Sequence, residues 1–257
     1  LHIASDDLGS KIGFAGIRFL FAGILVTILA IIQKRKFKVE QKSVVAWLLL
    51  FALGNTALHY LFSYVGLGYL PSSRSTILDS MNGFFAIILS CIIFEDDKFS
   101  KFKALGCILG FGGILLINIE PGQNFFQGIS FRGDGMILLN ALCGAFGGII
   151  TRIISKKMDM TVATGLSMTI GGGLLCIISA IIGPASKWTI NIKSIITMVG
   201  LILISAVCFG VYNQLLAYHP ISKIAIFNAF IPILGVIFSS IILGEPMRIK
   251  YIIAGCM

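Results

Sequence analysis

Residues 69–108, YLPSSRSTILDSMNGFFAIILSCIIFEDDKFSKFKALGCI, recur at 218–257 as YHPISKIAIFNAFIPILGVIFSSIILGEPMRIKYIIAGCM, 149 positions later and without a gap. Eleven of the 40 paired positions are identical, among them Tyr69/Tyr218, Pro71/Pro220, Ser73/Ser222, Lys101/Lys250 and Gly106/Gly255. Apolar segments resemble one another through composition, but shared Pro, Lys and Gly anchors in one register do not arise readily that way. A repeat of this length in an apolar chain points to a duplicated transport fold.

Composition sets the solvent. The chain has 257 residues, 57% hydrophobic and 12% charged, with a mean hydropathy of +0.97. Soluble domains carry roughly 25% charged residues, so this is an integral membrane protein. The net charge of +9 does not imply a nucleic-acid partner, because the positive residues fall in short loops between apolar runs, where topology accounts for them. The six cysteines lie in separate apolar runs, without metal-ligand spacing, and read as small packing residues. No metal or other cofactor is expected.

Eight apolar runs can be marked, at about 13–32, 44–68, 75–94, 104–119, 135–154, 161–182, 195–216 and 224–243, and a ninth begins at Tyr251. Shifting 161–182 and 195–216 back by 149 lands on 12–33 and 46–67, so the offset extends beyond the segment that revealed it. The partner of 135–154 is missing, and that of 104–119 is only begun. The expected intact architecture is therefore all-α and polytopic, two inverted five-helix repeats, with the first helix and most of the last absent from this chain. Residues 1–119 and 135–257 would be the two repeats. Five crossings per repeat reverse the chain's direction, so equivalent helices should run antiparallel.

Loops 33–43, 95–103 and 152–160 with Lys223 carry 12 Lys and Arg, against 7 on the other side. The richer side should be cytoplasmic. Trp47 and Trp188 fall at span ends, where interfacial indoles reside. Gly106/Gly110, Gly144/Gly148 and Gly171–Gly173 mark faces where helices can approach closely.

With the repeat in place, the chain resembles the drug/metabolite transporter superfamily, specifically its EamA-type ten-helix members. The resemblance rests on Ile17-Arg18-Phe19-Leu20-Phe21-Ala22-Gly23, on Gly68-Tyr69-Leu70-Pro71-Ser72-Ser73 and on Ala217-Tyr218-His219-Pro220. It rests further on Phe230-Ile231-Pro232, Leu243-Gly244-Glu245-Pro246 and the helix starts at Ala104-Leu105-Gly106 and Ile253-Ala254-Gly255. The first repeat departs from the pattern with Gly83 in place of proline and Glu95-Asp96-Asp97 in place of a Leu-Gly-Glu turn. The resemblance implies a multi-pass secondary transporter, often an exporter, of small metabolites such as amino acids or amines. A bacterial plasma membrane is the expected location. Protons as coupling ion and a homodimer are compatible with it.

A charge within hydrocarbon costs several kcal/mol unless paired or solvated, which makes it a functional candidate. Arg18 and Asp79 are such charges, at matching depth near the outer edge, and an ion pair or a shared wet vestibule would accommodate both. The plainer reading is that Arg18 braces the fold. Asn55 and His59 are four apart on one helix face, Asn82 shares the face of Asp79, and Asn140 lies at similar outer depth. On the inner side Asn213, Gln214 and Asn228 form a second polar set. All nine are candidates for substrate binding or gating, with interhelical hydrogen bonding as the structural alternative. Pro232 should kink its span, either as a hinge or as static packing.

Other functions fit less well. A channel needs a continuous polar ring, and an intramembrane enzyme needs an acid pair, a metal set or a Ser–His arrangement; the embedded groups supply none of these. A receptor or scaffold without transport activity is the remaining alternative.

Overall fold

The computed structural model describes residues 8–37, 42–70, 72–97, 100–118, 130–183 and 191–228. Helices α1 (Leu8–Ile32), α2 (Lys42–Ala52), α3 (Leu58–Leu67), α4 (Ser72–Ile93) and α5 (Lys101–Asn118) make up the first half. The second half contributes α6 (Met136–Ile154), α7 (Met160–Ile182), α8 (Ile192–Tyr218) and α9 (Ile221–Asn228). Hydrocarbon offers backbone N–H and C=O groups no water, and a helix satisfies them internally. Among the described residues, Leu8–Ile32, Ser43–Leu67, Phe131–Ile154, Met160–Ile182 and Ile192–Tyr218 are long and apolar enough to cross a bilayer, while Leu78–Ile93 is a shorter apolar helix. The runs expected beyond 228 and the kink at Pro232 lie outside the described residues, as does Trp188.

Shifted by 149, the starts of α2 and α4 fall at 191 and 221, against observed starts of 192 for α8 and 221 for α9. The two halves thus follow one helical plan. α1 and α7 pack antiparallel along their lengths. Ser179 Oγ donates to the Gly9 carbonyl at 2.7 Å, a Cβ on Gly23 would lie 2.4 Å from Thr169 N, and one on Gly165 would lie 2.8 Å from Thr27 N. Lipid tails are as apolar as leucine, so such helices associate through close backbone packing rather than water exclusion. Glycines at these contacts permit it.

Two apolar clusters border this pair, and a third lies among α4, α6, α8 and α9. Ile12, Ala15, Phe19, Ala22 and Val26 of α1 meet Met168, Leu175 and Ala206. Toward the predicted cytoplasmic side, Ala30, Val44, Leu48 and Phe51 meet Ile154, Val162 and Ala163. Ala86 and Ile87 of α4 join Ala145 and Ile149 of α6 with Leu216, Ile221 and Ile224.

Two π-helical turns interrupt the spans, Leu53–Ala57 between α2 and α3 and Phe131–Gly135 before α6. In the second, Ser130 Oγ accepts from Gly133 N at 3.1 Å and Ser130 N donates to Asp134 Oδ2 at 2.9 Å. α7 is capped by Asp159, which accepts from Thr161 N and Val162 N, and α8 by Asn191, which accepts from Ser194 N.

Candidate functional site

α6 presents Asn140 toward α3 and α4. Asn140 Nδ2 donates to Asp79 Oδ1 at 2.5 Å, and the Asn140 carbonyl lies 3.1 Å from His59 Nδ1. A carbonyl only accepts, so Nδ1 carries the histidine proton and Nε2 is the remaining ring nitrogen. One buried residue of α6 thereby joins the carboxylate of α4 to the imidazole of α3.

Glycines one and two turns further along α6 extend the cluster. A Cβ on Gly144 would lie 2.4 Å from Asn82 Nδ2 and 3.1 Å from His59 Cε1, and one on Gly147 would lie 3.1 Å from Asn55 Oδ1. Asn82 and Asn55 sit where they do because no side chain stands there. Asn55 is the third residue of the π turn, which widens the helix at this point. At Gly148, expected to mark a close approach, an added Cβ would instead lie 3.8 Å from Leu216 Cδ1, and one on Gly106 would meet nothing within 4 Å among the described residues.

Arg18 stands apart from Asp79: among the described residues no salt bridge joins them. The guanidinium carbon lies 4.4 Å from the Phe19 ring centroid and 5.6 Å from that of Tyr60, an attraction to the ring faces that offsets part of the charge's burial. Phe19 and Tyr60 are 4.2 Å apart, Phe209 closes the group at 5.5 Å from Phe19, and His59 meets Tyr60 edge-on at 4.9 Å. Tyr60 lies beside both Arg18 and His59, and His59 and Asp79 share Asn140. Arg18 Nε, Asn55 Nδ2 and Asn140 Oδ1 are buried without a hydrogen-bond partner among the described residues, whereas Asp79 is exposed. A polar solute entering beside Tyr60 would find donors and an acceptor to satisfy.

The inner candidates are arranged differently. Asn213 Nδ2 donates to Thr164 Oγ1 at 3.2 Å and Gln214 Nε2 to Thr161 Oγ1 at 2.9 Å. Asn213 is fully buried; both residues tie α8 to α7. The side chain of Asn228 lies outside the described residues.

Sequence reasoning did not single out Asp97 as a site. It follows α4, yet its carboxylate is 2% exposed. Oδ1 accepts from Lys103 Nζ at 2.7 Å and from Ser222 Oγ, and Oδ2 accepts from Ser90 Oγ at 2.8 Å and Ser222 N at 3.1 Å. Burial pushes this carboxyl upward, but the hydrogen bonds from Lys103, Ser222 and Ser90 outweigh it and hold it at about 2. Asp96 pairs with Arg152, whose guanidinium covers Phe94 at 4.5 Å. The only available signal was that Glu95-Asp96-Asp97 departs from the family's turn. A recess of about 830 Å³ lies elsewhere, between residues 33–36 and 155–159. Its charges, including the Arg35–Asp159 pair at 3.5 Å, belong to a solvated loop surface.

Comparison with known proteins agrees with this architecture. A protein of Bacillus subtilis (strain 168) named as the uncharacterized transporter YvbV is 28% identical over 254 residues, covering 95% of this chain and 78% of its own. A similarly named transporter of Synechocystis is 28% identical over 91% of this chain and 74% of its own. A chloroplastic WAT1-related protein of Arabidopsis thaliana is 26% identical over 90% of this chain and 57% of its own. A solved structure described as "Crystal structure of protein" superposes with a TM-score of 0.80 at 12% identity, covering 96% of this chain and 84% of that one, and shares the fold. The model of the EamA-like transporter family matches residues 3–119 and 131–257, and the chain, a multi-pass membrane protein and transporter, belongs to that family.

Proposed function

We propose that the protein exports small metabolites such as amino acids or amines from the cytoplasm by alternating access, in a bacterial plasma membrane. The observation that carries this reading is the Asp79–Asn140–His59 connection, a polar cluster joining three helices near their predicted outer ends. A static bundle gains little from an exposed carboxylate at that depth, where a charge is costly. A transporter gains a site that water and solute can reach from one side.

Arg18, over the rings of Phe19 and Tyr60, and Asp79, held by Asn140, are the opposite charges proposed to meet the solute. Asp79 is the proposed group for proton exchange, because it is the carboxylate of the cluster and its repeat mate is the neutral Asn228. Residues 1–119 and 135–257 are the proposed moving units, with the site between α3 and α4 of the first and α6 of the second. Asn213 and Gln214 then hold α7 and α8 together as a body, a structural role.

The test is a comparison of metabolites released by cells with and without the protein, followed by flux of each hit in proteoliposomes. Substrate-dependent flux that Asp79→Asn alters supports the reading. Flux and pH profile unchanged by Asp79→Asn would remove that residue from the mechanism, and no flux for any hit would remove the transport reading.

A further inference from the structure

Asp97 unites three helices at the predicted cytoplasmic ends, and its four hydrogen bonds divide into two kinds. Ser90 of α4 and Lys103 of α5 belong to its own half of the chain. Ser222 N and Oγ belong to α9 in the other half. Ser222 N lies in the first turn of α9, where backbone N–H groups lack intrahelical acceptors, so a carboxylate from the other half caps this helix.

A permanent weld between the halves would have no use for this division. With it, Asp97 can release Ser222 while Lys103 and Ser90 go on satisfying the carboxylate, so separation leaves no bare buried charge. α4 also carries Asp79 and Asn82 in its outer half, so the helix that lines the outer cluster is clamped at its inner end.

We infer that the Asp97–Ser222 contact is the latch that keeps the cytoplasmic side closed, and that its release accompanies opening toward the cytoplasm. This rests on the alternating-access reading above. The neighbouring Asp96–Arg152 pair sits at the rim, with Asp96 63% exposed, and contributes little in water.

The test uses the chain in lipid nanodiscs, with native cysteines replaced and spin labels at the exposed positions 95 and 223, read by double electron–electron resonance. The expected result is a predominantly short distance in the parent, with Asp97→Asn and Ser222→Ala each raising the longer-distance population roughly tenfold, as loss of charge-assisted bonds implies. Arg35→Gln, which removes an exposed pair on the same face, should leave the distribution unchanged. If Asp97→Asn fails to fold, Ser222→Ala, which removes one hydroxyl, carries the test. Folded Asp97→Asn or Ser222→Ala protein with the parental distribution would overturn the latch. Flux with unshifted distances sinks the latch and spares the transport reading; shifted distances with no flux of any metabolite do the reverse.

Discussion

Gly16 of α1 packs on Gly172 of α7, and the same contact is made a second time with the roles exchanged. A Cβ on Gly16 would lie 3.1 Å from the Gly172 carbonyl, and one on Gly23 would lie 2.8 Å from the Gly165 carbonyl. Residue 165 is 149 beyond 16, and 172 is 149 beyond 23. Each glycine therefore meets the repeat mate of the other, as an isologous contact across a two-fold axis requires. The mates run antiparallel, so that axis lies in the membrane plane and the second repeat is inverted relative to the first.

Filling this contact should separate the helices. A Cβ on Gly172 would stand 2.4 Å from Leu20 N, a backbone atom that cannot turn aside. Gly172→Ala is expected to destabilise the protein by about 2 kcal/mol. Gly173→Ala, which meets nothing within 4 Å among the described residues, should be nearly neutral. Thermal unfolding in detergent compares the two.

Gly144→Ala should damage function more than fold. The atoms in its way are side-chain ends, Asn82 Nδ2 at 2.4 Å and His59 Cε1 at 3.1 Å, and these can move without unwinding a helix. The expected outcome is a folded protein whose flux falls about tenfold, the loss set by misplaced polar groups. Gly148→Ala, 3.8 Å from Leu216 Cδ1, should retain its flux in the same proteoliposome assay.

The spans were legible in the sequence because hydrocarbon enforces long apolar runs. The runs at 13–32 and 161–182 became α1 and α7 with ends shifted by up to five residues. The grouping of Asp79, Asn82 and Asn140 was also legible, since depth follows from position in a span. Rotation about the helix axis does not follow so simply. Arg18 and Asp79 share a depth, yet Arg18 turns onto Phe19 and Tyr60 while Asp79 turns to Asn140. The π turns at 53–57 and 131–135 depend on neighbouring packing and leave no periodicity to read. The Asp97–Ser222 contact spans 125 residues, and nothing local to Asp97 names its partner.

Acid should loosen the inner side through Asp97. Its carboxyl is held at about 2 in the folded protein, below the free value of about 3.9. A depressed value means that the stabilisation, about 2 kcal/mol, is fully present above about pH 4. It is lost as pH falls toward about 2. Melting temperatures in detergent should fall between about pH 4 and about pH 2 in the parent, and this acid-dependent loss should be smaller in Asp97→Asn.

Asp79→Asn keeps the shape of the side chain and removes its charge. The expected outcome is a protein with parental melting temperature, altered flux and a changed pH profile of transport. A matched comparison with Asn82→Ala would show whether the carboxylate or the polar face as a whole carries the effect, because both residues contribute to one face of α4.

The inverted duplication is tested most directly at the ends of α1 and α7. In a cysteine-free background, single cysteines at Lys34 and Gly183, which are 149 residues apart, would be labelled with an impermeant maleimide from each side of sealed vesicles. Position 34 is expected to react from the cytoplasmic side and position 183 from the opposite side. Labelling of both from the same compartment would contradict the inverted duplication.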